Sequence, residues 1–172
     1  MEEVVLVDPQ DNPIGKMEKM QAHIDGALHR ALSVFIFNNK GEMLIHQRAL
    51  EKYHSAGLWT NTCCSHPRPE EAPLAAAHRR LKEEMGMECE LEAGFTFLYR
   101  SEFENDLIEH ELDHVFIGMT NDLPNPNPEE VAAYRYISWD DLQKEIDQDP
   151  ERFTTWFRIC LPKVKSHLIQ SV

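Results

Sequence analysis

The fold class that this sequence predicts is α+β. Short runs rich in β-branched and aromatic residues recur along the chain, bounded by Asn, Asp, Gly and Pro. Other segments space their apolar residues three and four apart, as helices do. The chain has 172 residues, 42% hydrophobic and 27% charged, the balance of a globular domain, and no linker or repeat divides it. One domain over 1–172 is therefore expected.

Val4–Val7 is a short strand, ended by Asp8-Pro9. Leu32–Phe37 is a second, and Asn38-Asn39-Lys40-Gly41 turns it back into Met43–Gln47, which predicts a hairpin. Pro73 to Met85 is a helix: Pro suits its first turn, Leu74, Ala77, Leu81 and Met85 form a stripe, and Gly86 stops it. Phe95–Arg100, Ile108–Met119 and Val131–Ile137 follow as strands, with Leu123–Pro128 an ordered loop between the last two. Ser138 caps a helix, with Asp141 three residues on as its capping-box partner. Thr154–Ile169 is a final helix in which Pro162 marks a kink or break.

The net charge is −13. Phosphate backbones and anionic membranes repel so acidic a chain, so neither nucleic acid nor a membrane is expected as a partner. An anionic substrate requires the few cations to gather in one place. The acidic start Met1 to Asp8 has no apolar core, and no run approaches ~20 apolar residues. Cys63, Cys64, Cys89 and Cys160 form no disulfide framework. A reducing cytoplasm is the expected setting.

Four constellations could carry chemistry. On the helix before Gly86, Arg80 and Glu84 share a face, and Glu83 and Glu84 either invite a divalent cation such as Mg2+ or form a solvated ion-paired surface. In Trp59-Thr60-Asn61-Thr62-Cys63-Cys64-Ser65-His66-Pro67, a Cys two residues from a His is a metal pair, a nucleophile with its base, or a core thiol. On a strand, Glu109, Glu111 and Asp113 share one face, which is unfavourable unless a cation or water relieves it. The apolar flanks make that strand internal rather than an exposed edge. Lys19, His23 and His29 lie near the N-terminus, and the two histidines gain meaning only if His66 and two carboxylates meet them in space.

Glu71, seven intervening residues, then Arg79-Arg80-Leu81-Lys82-Glu83-Glu84-Met85-Gly86-Met87 resembles the Nudix box. Two positions depart from the pattern: Ser65 replaces its Gly, and Arg80 replaces a Glu that Nudix hydrolases use in metal-assisted attack on diphosphates. A cation there disfavours hydrolysis yet suits diphosphate binding. Together with Lys19-x3-His23-x5-His29, Arg48-Ala49-Leu50-Glu51-Lys52, the Cys64-x-His66-Pro67 segment, Tyr99-Arg100, Glu109-His110-Glu111 and Trp156, the order and spacing resemble the type 1 isopentenyl-diphosphate isomerases, a branch of the Nudix fold, from about Glu3 to about Trp156.

That resemblance implies a Nudix-like mixed β-sheet sandwich flanked by helices, working as a monomer or homodimer in isoprenoid-precursor synthesis. It implies reversible conversion of isopentenyl to dimethylallyl diphosphate, a small-molecule substrate. Cys64 and Glu111 are the implied proton-transfer groups, on opposite sides of the substrate, with Tyr99 assisting Glu111. Cys64 is preferred to Cys63 because it keeps the Cys-x-His-Pro spacing. His23, His29, His66, Glu109 and Glu111 are the implied metal ligands, a set that suits Mn2+ or Zn2+ better than Ca2+. Lys19, Arg48, Lys52 and Arg80 would hold the diphosphate, with Mg2+ bridging it to Glu84. Trp156 would shield a carbocation, with Trp59 a weaker candidate. The rivals are a Nudix pyrophosphohydrolase acting on small diphosphates and a non-enzymatic zinc-binding module. A chain of this length folds without a metal staple, which counts against the module.

Overall fold

The computed structural model describes residues 2–52 and 54–170. Their elements are β1 (Glu3–Val7), β2 (Pro13–Glu18), α1 (Lys19–Asp25), β3 (His29–Phe37), β4 (Met43–Arg48), β5 (Trp59–Thr60), β6 (Cys63–Ser65), α2 (Pro73–Met85), β7 (Glu92–Glu102), β8 (Ile108–Met119), β9 (Val131–Ile137), α3 (Trp139–Gln148) and α4 (Thr155–Gln170). No helix among the described residues is long and apolar enough to cross a membrane.

β3 is the axis of the sheet. It runs parallel to β8 from His29↔Glu111 to Phe37↔Met119, and β7 pairs antiparallel with the far side of β8. β8 is thus internal, as its apolar flanks predict. β1 joins β3 at Leu6↔His29, and β4 carries β9 and β5. Alternation along β3 divides the core in two. Leu32, Val34 and Ile36 pack with Ala77, Leu81 and Met85 of α2. Phe35 and Phe37 pack with Phe157, Leu161 and Val164 of α4. A mixed sheet with helices on both faces results, the expected class.

The hairpin expected from Leu32–Phe37 and Met43–Gln47 pairs only at Phe37↔Met43. Beyond that point Thr62 separates the strands. Its hydroxyl donates to the Leu44 carbonyl (2.6 Å) and accepts from the Ile36 N–H (2.9 Å). Asn61 Nδ2 donates to the carbonyls of Val34 and Cys63, both at 3.0 Å. β6 enters this seam, with Ser33 opposite Cys64. The turn motif marks where the chain reverses, not how far the ladder extends.

Smaller differences have equally local causes. Leu74 is 43% exposed, so the buried stripe of α2 is Ala76, Ala77, Leu81, Glu84 and Met85. Ser138 Oγ accepts from the Asp141 N–H as expected. α4 runs through Pro162 unbroken, because Pro162 is exposed and the buried Phe157, Cys160, Leu161 and Val164 hold the helix to the sheet. β2 and α1 escape the sequence patterns. β2 is a mostly exposed edge with Pro13 and Gly15 in it, and α1 has seven residues, capped by Glu18 and ended by Gly26 at φ 69°.

Gly86 ends α2 at φ 63°, and its N–H donates to the Leu81 and Lys82 carbonyls. A Cβ there would lie 2.3 Å from the Asn125 carbonyl oxygen. Asn125 cannot retreat freely, since its N–H donates to the Met85 carbonyl at 2.8 Å. Gly86→Ala combines left-handed strain with a backbone clash and is expected to cost about 2 kcal/mol or more. Urea unfolding measures it; a loss under ~0.5 kcal/mol, the size of an ordinary surface change, would refute the constraint.

Candidate active site

Period-2 alternation on β8 puts Glu109, Glu111 and Asp113 on one face, and all three are buried. Opposite them, α1 supplies His23, the start of β3 supplies His29, and the segment after β6 supplies His66. His23 Nδ1 lies 2.8 Å from the Lys19 carbonyl and His29 Nδ1 2.9 Å from the Ala27 carbonyl. A carbonyl only accepts, so both Nδ1 atoms carry hydrogen and both Nε2 atoms turn inward. His29 Nε2 and His66 Nε2 reach the same Glu111 Oε2, at 3.0 and 2.8 Å. One ligand atom each from His23, His29, His66 and Glu111 lies within 4.8 Å of the others, and a second such group joins His23, His54 and Glu109.

Two features show that this donor set suits a cation. His29 Nε2 and His66 Nε2 converge on one carboxylate oxygen, Glu111 Oε2, while Glu109 and Asp113 crowd two more buried carboxylates beside it. Tyr99 OH sits within bonding reach of both Glu109 Oε1 and Glu111 Oε1, the latter at 2.6 Å, yet carries one proton. A buried positive charge would balance these carboxylates, and imidazole with carboxylate is the chemistry of a borderline divalent ion. Of the five residues expected as ligands, His23, His29, His66 and Glu111 fall in the first group, and Glu109 joins His23 in the second.

Burial pushes the Glu111 carboxyl up, but hydrogen bonds from His29 and His66 overcome it and hold Glu111 well below the usual carboxylate range. Glu109 goes the other way, raised by burial and by the Glu111 charge beside it. Burial drives His66 down to about 4 and His54 to about 3, the latter helped by the Arg48 charge. The His54 and His66 imidazoles are therefore neutral at pH 7 and able to coordinate, whereas burial of His23 is outweighed by its bonds to Glu109 and the Lys19 carbonyl, which hold it above the usual histidine value.

Alternation in β6 also separates the two cysteines. Cys63 turns to the α2 side, fully buried, and donates to Glu84 Oε2 at 2.8 Å. Cys64 turns to the cavity, where Sγ–H donates to Asn61 Oδ1 (2.8 Å) and Sγ accepts from Trp156 Nε1 (3.0 Å). Burial raises the Cys64 thiol despite the Trp156 bond, so it keeps its proton.

Cys64, His66, Tyr99, Glu109, Glu111 and Trp156 line one cavity of about 120 Å³, with Lys19, Arg48, Lys52, Arg80 and Glu84 on the same lining. That volume is below the ~300 Å³ where drug-sized ligand sites begin, which suits a small ligand. Arg48 Cζ lies 5.1 Å from the Trp156 ring centroid. Arg80 Nη2 bonds Glu84 Oε1 and Glu130 Oε2, each at 3.0 Å, and Lys52 meets Glu130 at 2.9 Å. Burial and a hydrogen bond with Glu130 raise Glu84 to about 7. Glu71 and Glu83 bond Arg79 and do not line this cavity.

Trp59 packs instead against the α4-side core under Arg135, whose Cζ is 4.6 Å from its ring. His54, Glu130 and the cavity-facing position of Asp113 add to the expected set. Only Asp113 had a sequence signal, its place in the β8 alternation.

Residues 27–157 match the family model described as NUDIX domain. The chain is 53% identical over 165 residues to the isopentenyl-diphosphate Delta-isomerase of Pectobacterium atrosepticum, covering 96% of this chain and 92% of that protein. It is 50% identical to that of Burkholderia multivorans, covering 94% and 92%. Among solved structures, a Deinococcus radiodurans protein superposes with TM-score 0.71 at 19% identity, covering 86% of this chain and 90% of that one. A MutT NUDIX hydrolase from Burkholderia pseudomallei gives 0.63 at 21% identity, covering 80% and 98%; these two likenesses concern the fold. On the sequence match and the fold together, the chain belongs to the NUDIX family, in its isopentenyl-diphosphate Delta-isomerase branch.

Proposed function

We propose that this chain interconverts isopentenyl and dimethylallyl diphosphate, by adding a proton to the terminal alkene carbon and removing another from C2. The observation that carries this reading is one small cavity lined by a protonated thiol, Cys64, an ionised carboxylate, Glu111, and an indole, Trp156. Cys64 and Glu111 are the proton-transfer groups. Tyr99 steadies Glu111 through its 2.6 Å hydrogen bond. Trp156 presents its indole to the cavity and fixes the Cys64 sulfur. Its π-face can stabilise a carbocation by ~0.5–2 kcal/mol.

His23, His29, His66, Glu109 and Glu111 would hold Mn2+ or Zn2+. Such an ion, when bound, supplies the charge that lets two buried carboxylates stand side by side. Lys19, Arg48, Lys52 and Arg80 hold the diphosphate, and Glu84 would share a Mg2+ with it. We infer one domain, monomer or homodimer, in the cytoplasm.

Of the Nudix-box carboxylates Glu71, Glu83 and Glu84, only Glu84 lines the cavity, which favours isomerisation over hydrolysis. Turnover of isopentenyl diphosphate with Mg2+ in deuterated water tests the choice. Deuterium should appear in the dimethylallyl product; phosphate release without isomerisation would select the pyrophosphohydrolase.

Arg80→Glu tests the diphosphate site. Hydrogen bonds to charged groups contribute about 1.5–3 kcal/mol, so KM should rise roughly 10- to 100-fold. An unchanged KM would remove Arg80 from the site.

A further inference from the structure

We propose that His54 is a fourth imidazole ligand of the metal centre, entering beside His23 and Glu109. The inference rests on the metal site proposed above and extends its donor set.

His54 is oriented as the other histidines are. Its Nε2 points inward, 3.4 Å from Glu109 Oε2, while Nδ1 lies 3.2 Å from Ser55 Oγ. His23 and His29 show the same division, with Nδ1 engaged by a neighbour and Nε2 turned to the carboxylates. The His54 ring centroid is 5.8 Å from that of His23, the same separation as His66 from His23. The ligand atoms of His23, His54 and Glu109 all lie within 4.8 Å of one another, and all three residues are buried.

The surroundings fix this orientation. Phe103 stacks on the His54 ring at 4.7 Å and 3°, and Trp156 meets its edge at 5.7 Å. Arg48 Nη2 donates to the His54 carbonyl at 3.2 Å. The next residue, Ser55, adopts φ 53°, a left-handed conformation unfavourable for any residue with a Cβ. The chain accepts that strain where it turns an imidazole toward the buried Glu109 carboxylate.

The two ligand groups share His23: one adds His29, His66 and Glu111, the other His54 and Glu109. His54 would thus bring a further neutral imidazole to the side of the centre where Glu109 lies, which suits a borderline divalent ion.

X-ray absorption on the Zn2+-loaded full chain counts imidazole ligands directly. Four are expected in the wild type and three in His54→Gln; three in the wild type overturns the proposal, whether or not the variant folds. Zn2+ competition titrations provide the second measurement. His54→Gln should weaken Zn2+ by ~10-fold or more, and His66→Ala should weaken it as well. If His66→Ala loses affinity and His54→Gln does not, His54 alone is wrongly assigned. If neither changes, the metal centre itself is wrongly placed, and His54 falls with it.

Discussion

Cys64→Ala should lower isomerase turnover by about three to four orders of magnitude, the upper range for loss of a general acid or base, with the fold intact. An unactivated alkene is a weak base, so its protonation depends on an acid held at contact distance in a dry site. Alanine removes the Sγ–H that donates to Asn61 and the acceptor of the Trp156 Nε1 bond, but only a small side chain leaves the wall. Cys64→Ser separates the two effects: its hydroxyl can replace both hydrogen bonds, yet it is a far weaker acid, so it should preserve stability without restoring rate. Cys63 is the internal control. It lies among core residues and bonds Glu84, so Cys63→Ala should act on packing and on Glu84 rather than on proton transfer. Near-normal turnover in Cys64→Ala with Cys63 present would show that the thiol has been misassigned. Steady-state kinetics beside a urea titration decides it.

The choice between the cysteines also shows how far the sequence could be read. The Cys-x-His-Pro spacing pointed to Cys64, and neighbours on a strand face opposite ways, so Cys63 lies in the core and Cys64 lines the cavity. The same period made Glu109, Glu111 and Asp113 legible as one face, and the apolar flanks of β8 made them internal. α2 was legible to the residue, because Pro73 and Gly86 mark both of its ends. His23, His29 and His66 were legible only through family resemblance, since nothing local in their spacing ties α1 to the segment after β6. His54 and Glu130 carried no signal. Each reaches the cavity from irregular chain, His54 through the strained turn at Ser55 and Glu130 from the loop before β9. The β3–β4 seam was hidden for a related reason. Thr62 opens it with one hydroxyl bonded to both strands, and hydrophobic periodicity does not record such a contact.

Glu111→Gln should be as damaging as Cys64→Ala, for a different reason. The amide has nearly the same shape and can still accept from Tyr99, but it cannot take up a proton at neutral pH. Turnover should fall by about three to four orders of magnitude. The variant also loses a charged partner of His29 and His66, so divalent-metal affinity should drop by ~10-fold or more. Assays at saturating Mn2+ separate the two effects: restored occupancy without restored turnover assigns Glu111 to proton transfer, and full recovery of turnover would reduce it to a metal ligand. Isotope exchange then divides the two steps between the two groups. A variant that retains the protonating group can still form the cation and return to starting material. In deuterated water it should place deuterium at the terminal carbon of recovered isopentenyl diphosphate. A variant that lacks that group should leave the recovered substrate unlabelled. Cys64→Ala and Glu111→Gln are therefore expected to differ in this one measurement even where both are inactive. Identical labelling in both would mean that the thiol and the carboxylate do not act as separate proton-transfer groups on opposite sides of the substrate.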